Sequence, residues 1–141
     1  MEQERRVYQL LNLAQHQLKL YIDKTMLKTA GVTGAQVAAL LFLEKNDGCQ
    51  QKELAAGLQL DTSAITGMVE RLCRKSMIEK RRSLEDRRAF SLHLSDSGRK
   101  ALEQVKPVIR TNNQLFEERF GAEAVDQFCE ILHYLTTIKT S

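Results

Sequence analysis

Cysteine is scarce in this chain and poorly spaced for chemistry. Cys49, Cys73 and Cys129 are odd in number, far apart and never arranged as C-x-x-C. A disulfide framework and a zinc ribbon are both excluded on that ground. His16, His93 and His133 show no metal-ligand spacing, so neither a metal site nor a cofactor is expected. The thiols read as reduced and structural, with an oxidant-sensing role for one of them as the alternative. No apolar run approaches the ~18 residues of a membrane span. The opening residues, Met1 to Arg6, lack the charge-then-apolar order of a signal peptide, so a cytoplasmic location without a membrane partner is expected. Catalytic signatures are missing too. There is no nucleophile–base pair at useful spacing and no glycine-rich phosphate loop, so an enzyme is not expected. Proline occurs once, at Pro107, and no linker, repeat or low-complexity run divides the 141 residues. One domain, 1–141, long enough to bury a core, is the expectation.

What is present is an uneven distribution of charge. The formal net charge is only +3. Residues 1–48 carry six Lys/Arg against five Asp/Glu, and residues 95–141 carry six against seven. Residues 49–94 carry nine against six, and within them Arg71 to Arg88 hold eight against three. The excess is therefore concentrated in one segment, as expected of a surface that meets nucleic acid.

The chain as a whole has a recognisable rhythm. Residues 4–28 read as one long helix, with Val7, Leu10, Leu11, Ala14, Leu18, Tyr21 and Ile22 at helical spacing. Gly31 and Gly34 interrupt it. Thr33 caps a second helix to Lys45, whose buried side is Val37, Leu40, Leu41 and Phe42. Asn46-Asp47-Gly48 marks a turn. Gln51–Leu58 is a short third helix with Leu54 and Ala55 inward. Asp61 or Thr62 caps a fourth, held to the core by Ile65, Val69 and Leu72 and running to about Lys75. Two strands follow, Ile78–Arg82 and Ala89–Leu94, the second alternating Phe90, Leu92 and Leu94 with small or polar residues. The loop between them is Ser83 to Arg88. Ser95 caps a fifth helix toward Phe120, in which Pro107 should impose a kink. Gly121 ends it, and Ala122–Lys139 is a sixth, with Val125, Phe128, Ile131, Leu132, Leu135 and Ile138 on one face. Two short helices followed by an arginine-tipped hairpin suit DNA: the second helix fits the major groove and the hairpin an adjacent minor groove.

Glu53-Leu54-Ala55, Leu60-Asp61-x-Ser63-x-x-Thr66, Arg71-Leu72, Asp86-Arg87-Arg88 and Leu94-Ser95-x-x-Gly98-Arg99 occur here in that order. Together they resemble the MarR family of bacterial transcriptional regulators, over essentially the whole chain. The resemblance implies a mainly α fold with a small β-hairpin wing: a winged helix-turn-helix at about 33–94, flanked by N- and C-terminal dimerisation helices at 4–28 and 95–139. It implies a homodimer on a pseudo-palindromic double-stranded operator, usually as a repressor released by a small, often aromatic or phenolic, ligand. Two positions depart from the pattern. Gly67 stands where the family often has a basic residue, removing a phosphate or base contact and weakening the helix by up to ~1 kcal/mol relative to Ala. Ser76 replaces the glycine that usually closes the recognition helix. Peroxide-sensing members share an N-terminal-helix cysteine, which this chain lacks.

The DNA-binding candidates are Thr62, Ser63, Thr66, Arg71 and Arg74 on the fourth helix, and Lys80, Arg81, Arg82, Asp86, Arg87 and Arg88 on the hairpin. Small hydroxyl residues at a helix start suit base edges and phosphates. Lys80, Arg81 and Arg82 suit phosphates. Asp86 is expected to fix a guanidinium by charge-assisted hydrogen bonds, with Arg88 the minor-groove probe and Arg87 the alternative tip. Arg71 has a structural alternative, pairing near Asp61 or Glu70. The competing reading of the whole chain is a winged-helix module that binds protein, or coats DNA with little sequence preference and no ligand.

Overall fold

A computed structural model describes residues 6–86 and 88–140. Its elements run α1 (Val7–Ala30), α2 (Gly34–Lys45), β1 (Cys49–Gln50), α3 (Gln51–Leu58), α4 (Thr62–Arg74), β2 (Ile78–Arg82), β3 (Phe90–Leu94), α5 (Asp96–Phe120) and α6 (Ala122–Thr136). The fold is mainly α with a small β wing, as expected. Two compact units are present, residues 1–105 and residues 106–141, the division falling inside α5.

Local chemistry sets most boundaries in the first unit. Gly31 adopts φ 70° after α1 and returns its N–H to Leu27, which ends that helix two residues later than expected. Thr33 and Gln36 form a reciprocal capping box on α2: Gln36 N–H donates to Thr33 Oγ1 at 3.2 Å, and Thr33 N–H to Gln36 Oε1 at 3.1 Å. Gln50 and Glu53 repeat the device on α3. Asp61, rather than Thr62, caps α4, accepting from Ala64 N–H at 2.8 Å. Ser76 takes up φ 60°, the left-handed cap after α4, without glycine's freedom.

The core of this unit gathers Leu40, Leu43, Leu54, Ile65, Val69, Leu72, Leu92 and Leu102, each essentially inaccessible. On α2 the buried apolar residues are Val37, Ala39, Leu40 and Leu43, whereas Leu41 and Phe42 are half-buried, a correction to the expected stripe. Phe42 instead lays its ring against Gly57 of α3, where any side chain would collide with it. The expected two-stranded hairpin is a three-stranded antiparallel sheet in the order β1-β3-β2. Cys49 pairs with Leu92 and Gln50 with Ser91. A two-residue strand carries no period, so the sequence had nothing to announce it. In the wing, Ile78 pairs with Leu94 and Arg82 with Phe90. Ala89 falls outside β3 because its N–H closes the loop onto Asp86 O.

The second unit contains the later part of α5, Gly121 at φ 88°, and α6. The last helix stops at Thr136 rather than Lys139. Thr136 and Thr137 turn their hydroxyls back onto the carbonyls of His133 and Tyr134, both at 2.7 Å, and so compete with continued helix. No residue of α6 is buried, and Phe128, Ile131 and Tyr134 are each more than half exposed. Among the described residues no single helix is long and apolar enough to cross a membrane.

Candidate nucleic-acid interface

Helix α4 shows its purpose by what it buries. Ile65, Met68, Val69 and Leu72 face the core, so Ser63, Gly67, Glu70 and Arg74 occupy the opposite face, with Arg71 beside them. Thr62 and Thr66 lie to the other side. The Thr66 hydroxyl donates to Thr62 O at 2.7 Å and accepts from Gln51 Nε2 at 3.0 Å. Thr66 therefore ties α3 to α4, and Gln51 is a clamp that the sequence did not reveal. Ser63 makes no such contact among the described residues and is exposed.

The basic residues divide into three groups. Lys75, inside the charge-rich segment, is exposed but engaged: its Nζ donates to Gly31 O at 2.7 Å and to Gln36 Oε1 at 3.0 Å. It secures the end of α4 to the α1–α2 junction. Lys80 and Arg82 share the face of β2 that carries buried Ile78. Both overlie the Phe90 ring, with Lys80 Nζ 5.0 Å and Arg82 Cζ 5.8 Å from its centroid. Arg81 points to the other face and pairs with Glu79 at 3.1 Å. The three consecutive basic residues thus do not act together. Phe90 alternates in register with buried Leu92 and Leu94. It sits beyond the core's edge at 37% exposure and braces the two cations.

Lys80 joins two surface grooves. One, about 420 Å³, is lined by Val69, Glu70, Cys73, Arg74 and Lys80. The other, about 270 Å³, is lined by Gln50, Gln51, Lys52, Lys80, Arg88, Ala89 and Phe90. The two grooves, meeting at Lys80, form a track from the end of α4 to the base of the wing that bears Arg74, Lys80, Lys52 and Arg88, with Glu70 the one acidic residue lining it. Burial raises the Cys73 thiol above its usual range, with Lys80 pulling weakly the other way. A thiol held protonated is a poor nucleophile at neutral pH.

The wing tip is folded by its own polar groups. Ser83 Oγ accepts from the N–H groups of Glu85 and Asp86 at 3.2 and 3.3 Å. Asp86 Oδ1 accepts from the backbone N–H of Arg88 at 2.9 Å. This corrects the expected carboxylate–guanidinium pair. Two residues apart in a turn, an Asp carboxylate reaches the backbone N–H before it reaches the side chain. Asp86 thus shapes the loop through the Arg88 backbone, and the Arg88 side chain is exposed. Arg87 lies outside the described residues. Leu84, also at the tip, is fully exposed.

A helix pair joined by a tight turn, backed by a basic antiparallel wing, is a winged helix-turn-helix, a DNA-binding architecture. Comparison with known proteins gives the same answer. The family model described as MarR family matches residues 30–89. The transcriptional regulator BilQ of Clostridioides difficile is 28% identical over 134 residues, covering 95% of this chain and 89% of its own. The repressor MdtR of Bacillus subtilis is 36% identical over 75 residues, 53% of this chain and about half (48%) of MdtR. Among solved structures, the repressor CouR bound to a 23-mer DNA duplex is 26% identical, with TM-score 0.77 over 96% of this chain and 99% of that one. These matches together support a MarR-family winged-helix, DNA-binding transcriptional regulator.

Proposed function

We propose that this regulator acts as a homodimeric repressor on a pseudo-palindromic operator, with α4 in the major groove and the wing in the adjacent minor groove. The observation that carries this reading is the basic track. Ser63, Arg71 and Arg74 of α4 are exposed, and Lys80 links α4 through two grooves to Arg88 and Lys52. Lys80 and Arg82 suit phosphates, and Arg88 suits the narrow negative groove beside them. Thr66 and Asp86 shape this surface, and Arg81 lies off it.

Dimerisation is supported by apolar faces that this chain leaves uncovered. Val7, Leu10, Leu18 and Tyr21 are about half or more exposed on α1, as are Phe128, Ile131 and Tyr134 on α6. Continuous apolar exposure of this kind marks an interaction surface. In this reading 33–94 carries DNA binding, and 4–28 with 95–139 pair two copies. Two recognition helices then meet successive major grooves roughly 34 Å apart. Release by a small aromatic or phenolic effector, in the cytoplasm, completes the proposal on the strength of the family. Such a molecule would act by favouring a dimer whose recognition helices no longer match that spacing.

Arg88→Ala is the direct test of the wing. It should weaken operator binding about tenfold or more, the ~1.5–3 kcal/mol of a lost charged hydrogen bond, while leaving the circular dichroism spectrum unchanged. Unchanged affinity at physiological salt would remove Arg88 from the interface.

A further inference from the structure

We infer that Arg71 is the base-reading residue of α4, recognising a guanine edge, and that Gly67 is the specificity determinant that gives its guanidinium a seat. The inference rests on the reading of α4 as the major-groove element. Helical side chains lean toward the N-terminus, so a long side chain at 71 overlies position 67, one turn earlier. Position 67 has no side chain. The Arg71 guanidinium lies over the bare backbone, with Nη1 3.2 Å, Nη2 3.5 Å and Cζ 3.6 Å from where a Cβ would stand. It thus fills the middle of the exposed face, between Ser63 and Arg74, where a residue at 67 would otherwise project.

The alternative structural role, pairing with Asp61 or Glu70, is not what the side chain does. Among the described residues Arg71 makes no ion pair or hydrogen bond, so its planar fork of N–H donors is uncommitted. Arg74 and Arg88 are likewise uncommitted, but neither lies over position 67, and four other cations of the segment are engaged. Lys75 is hydrogen-bonded to Gly31 O and Gln36 Oε1, Arg81 is paired with Glu79, and Lys80 and Arg82 lie over Phe90. A free guanidinium at the centre of a recognition helix matches O6 and N7 of guanine bidentately. A basic side chain at position 67 would read for itself. Here its absence moves the reading one turn along the helix, and any Cβ at 67 presses on the reader.

The test is selection from a randomised duplex library with the full-length wild type, Arg71→Ala and Gly67→Ala, followed by titration of the winners over a range of salt. The wild type should enrich one G·C pair at a fixed position in each half-site. Replacing that pair should weaken binding roughly 5- to 150-fold, the worth of one bidentate contact. Arg71→Ala should lose the preference at that position alone, keeping the others and its salt slope. Gly67→Ala keeps the charge but displaces the guanidinium, so it should reduce the same preference with no change in slope. If Arg71→Ala weakens all sequences alike and flattens the salt slope by about 0.9, Arg71 is a phosphate contact and the inference is wrong. Persistence of the G·C preference in Arg71→Ala also overturns it. A wild type that enriches no sequence at all refutes the sequence-specific reading itself, a different failure and visible as such.

Discussion

Gly98 stands at the start of α5, where the wing hands the chain to that helix, and Gly98→Ala measures how tightly the two are joined. Ser95 organises the junction: its N–H donates to Met77 O at 3.1 Å, its Oγ donates to Ser76 O at 2.6 Å, and it accepts from Gly98 N–H at 3.1 Å. This draws the Gly98 backbone onto the turn that closes α4. A Cβ at 98 would collide with the Met77 carbonyl oxygen and stand 2.7 Å from Leu94 Cδ1 and 3.2 Å from Met77 C. Leu94 could rotate away, but the carbonyl is backbone and belongs to the segment that fixes the end of the recognition helix. Overpacking of this kind costs ~1–3 kcal/mol, and a backbone obstacle belongs at the upper end. Alanine returns at most ~1 kcal/mol of helix propensity. The net loss is about 2 kcal/mol, or about 7 °C in Tm for a chain of this size. Thermal unfolding at one fixed protomer concentration reads it, since the proposed dimerisation would couple to stability. An unchanged or raised Tm would show that α5 is not pressed against this turn. Gly67→Ala is the internal control. The neighbour there is a mobile guanidinium, so the propensity gain should dominate and Tm should rise slightly.

Three further predictions follow from the same geometry. Phe90→Ala should leave the fold intact but free Lys80 and Arg82, weakening operator binding several-fold, roughly the ~0.5–1 kcal/mol of an exposed cation–π contact for each; unaltered affinity would show that the brace is incidental. Acid stability should depend on two carboxylates. Asp23 is held below its usual pKa by hydrogen bonds from Lys19 Nζ and Gly34 N–H, and Asp47 by Leu94 N–H and then His93. Their stabilisation is complete above the unfolded value of about 3.9 and is lost as pH falls through the depressed native values. Asp23→Asn and Asp47→Asn should therefore lower stability at pH 7 and flatten its decline below about pH 4; variants with an unaltered acid limb would contradict this. In thiol labelling of the native protein, exposed Cys129 should react well before Cys49 and Cys73, whose thiols burial pushes upward; equal rates would overturn the view of Cys73 as inert.

The sequence carried the elements that repeat and lost those that depend on position. The α4 stripe of Ile65, Val69 and Leu72 is a helical period, and the caps Thr33 and Ser95 are chemical punctuation, so these were legible residue by residue, with the α4 cap narrowed to Asp61 or Thr62. Strand β1 is too short to have a period and exists because β3 offers it an edge. Lys80, Arg81 and Arg82 look equivalent as a run of charge, yet strand pleating sends the middle one to the opposite face. The Asp86–Arg88 relation was visible as a spacing, but the spacing did not reveal which atoms meet. Gly67 read as a deficit in the helix. Only the neighbouring side chain shows that the gap is occupied.

The central claim is that the track from α4 to the wing binds double-stranded DNA by sequence. Its most direct measurement is the dissociation constant for a duplex selected from the source genome and for a random duplex, each followed across salt concentration. The account predicts a steep fall of affinity with salt for both and a preference of roughly 10³ or more for the selected duplex. Affinity independent of salt, or equal for the two duplexes, would contradict it.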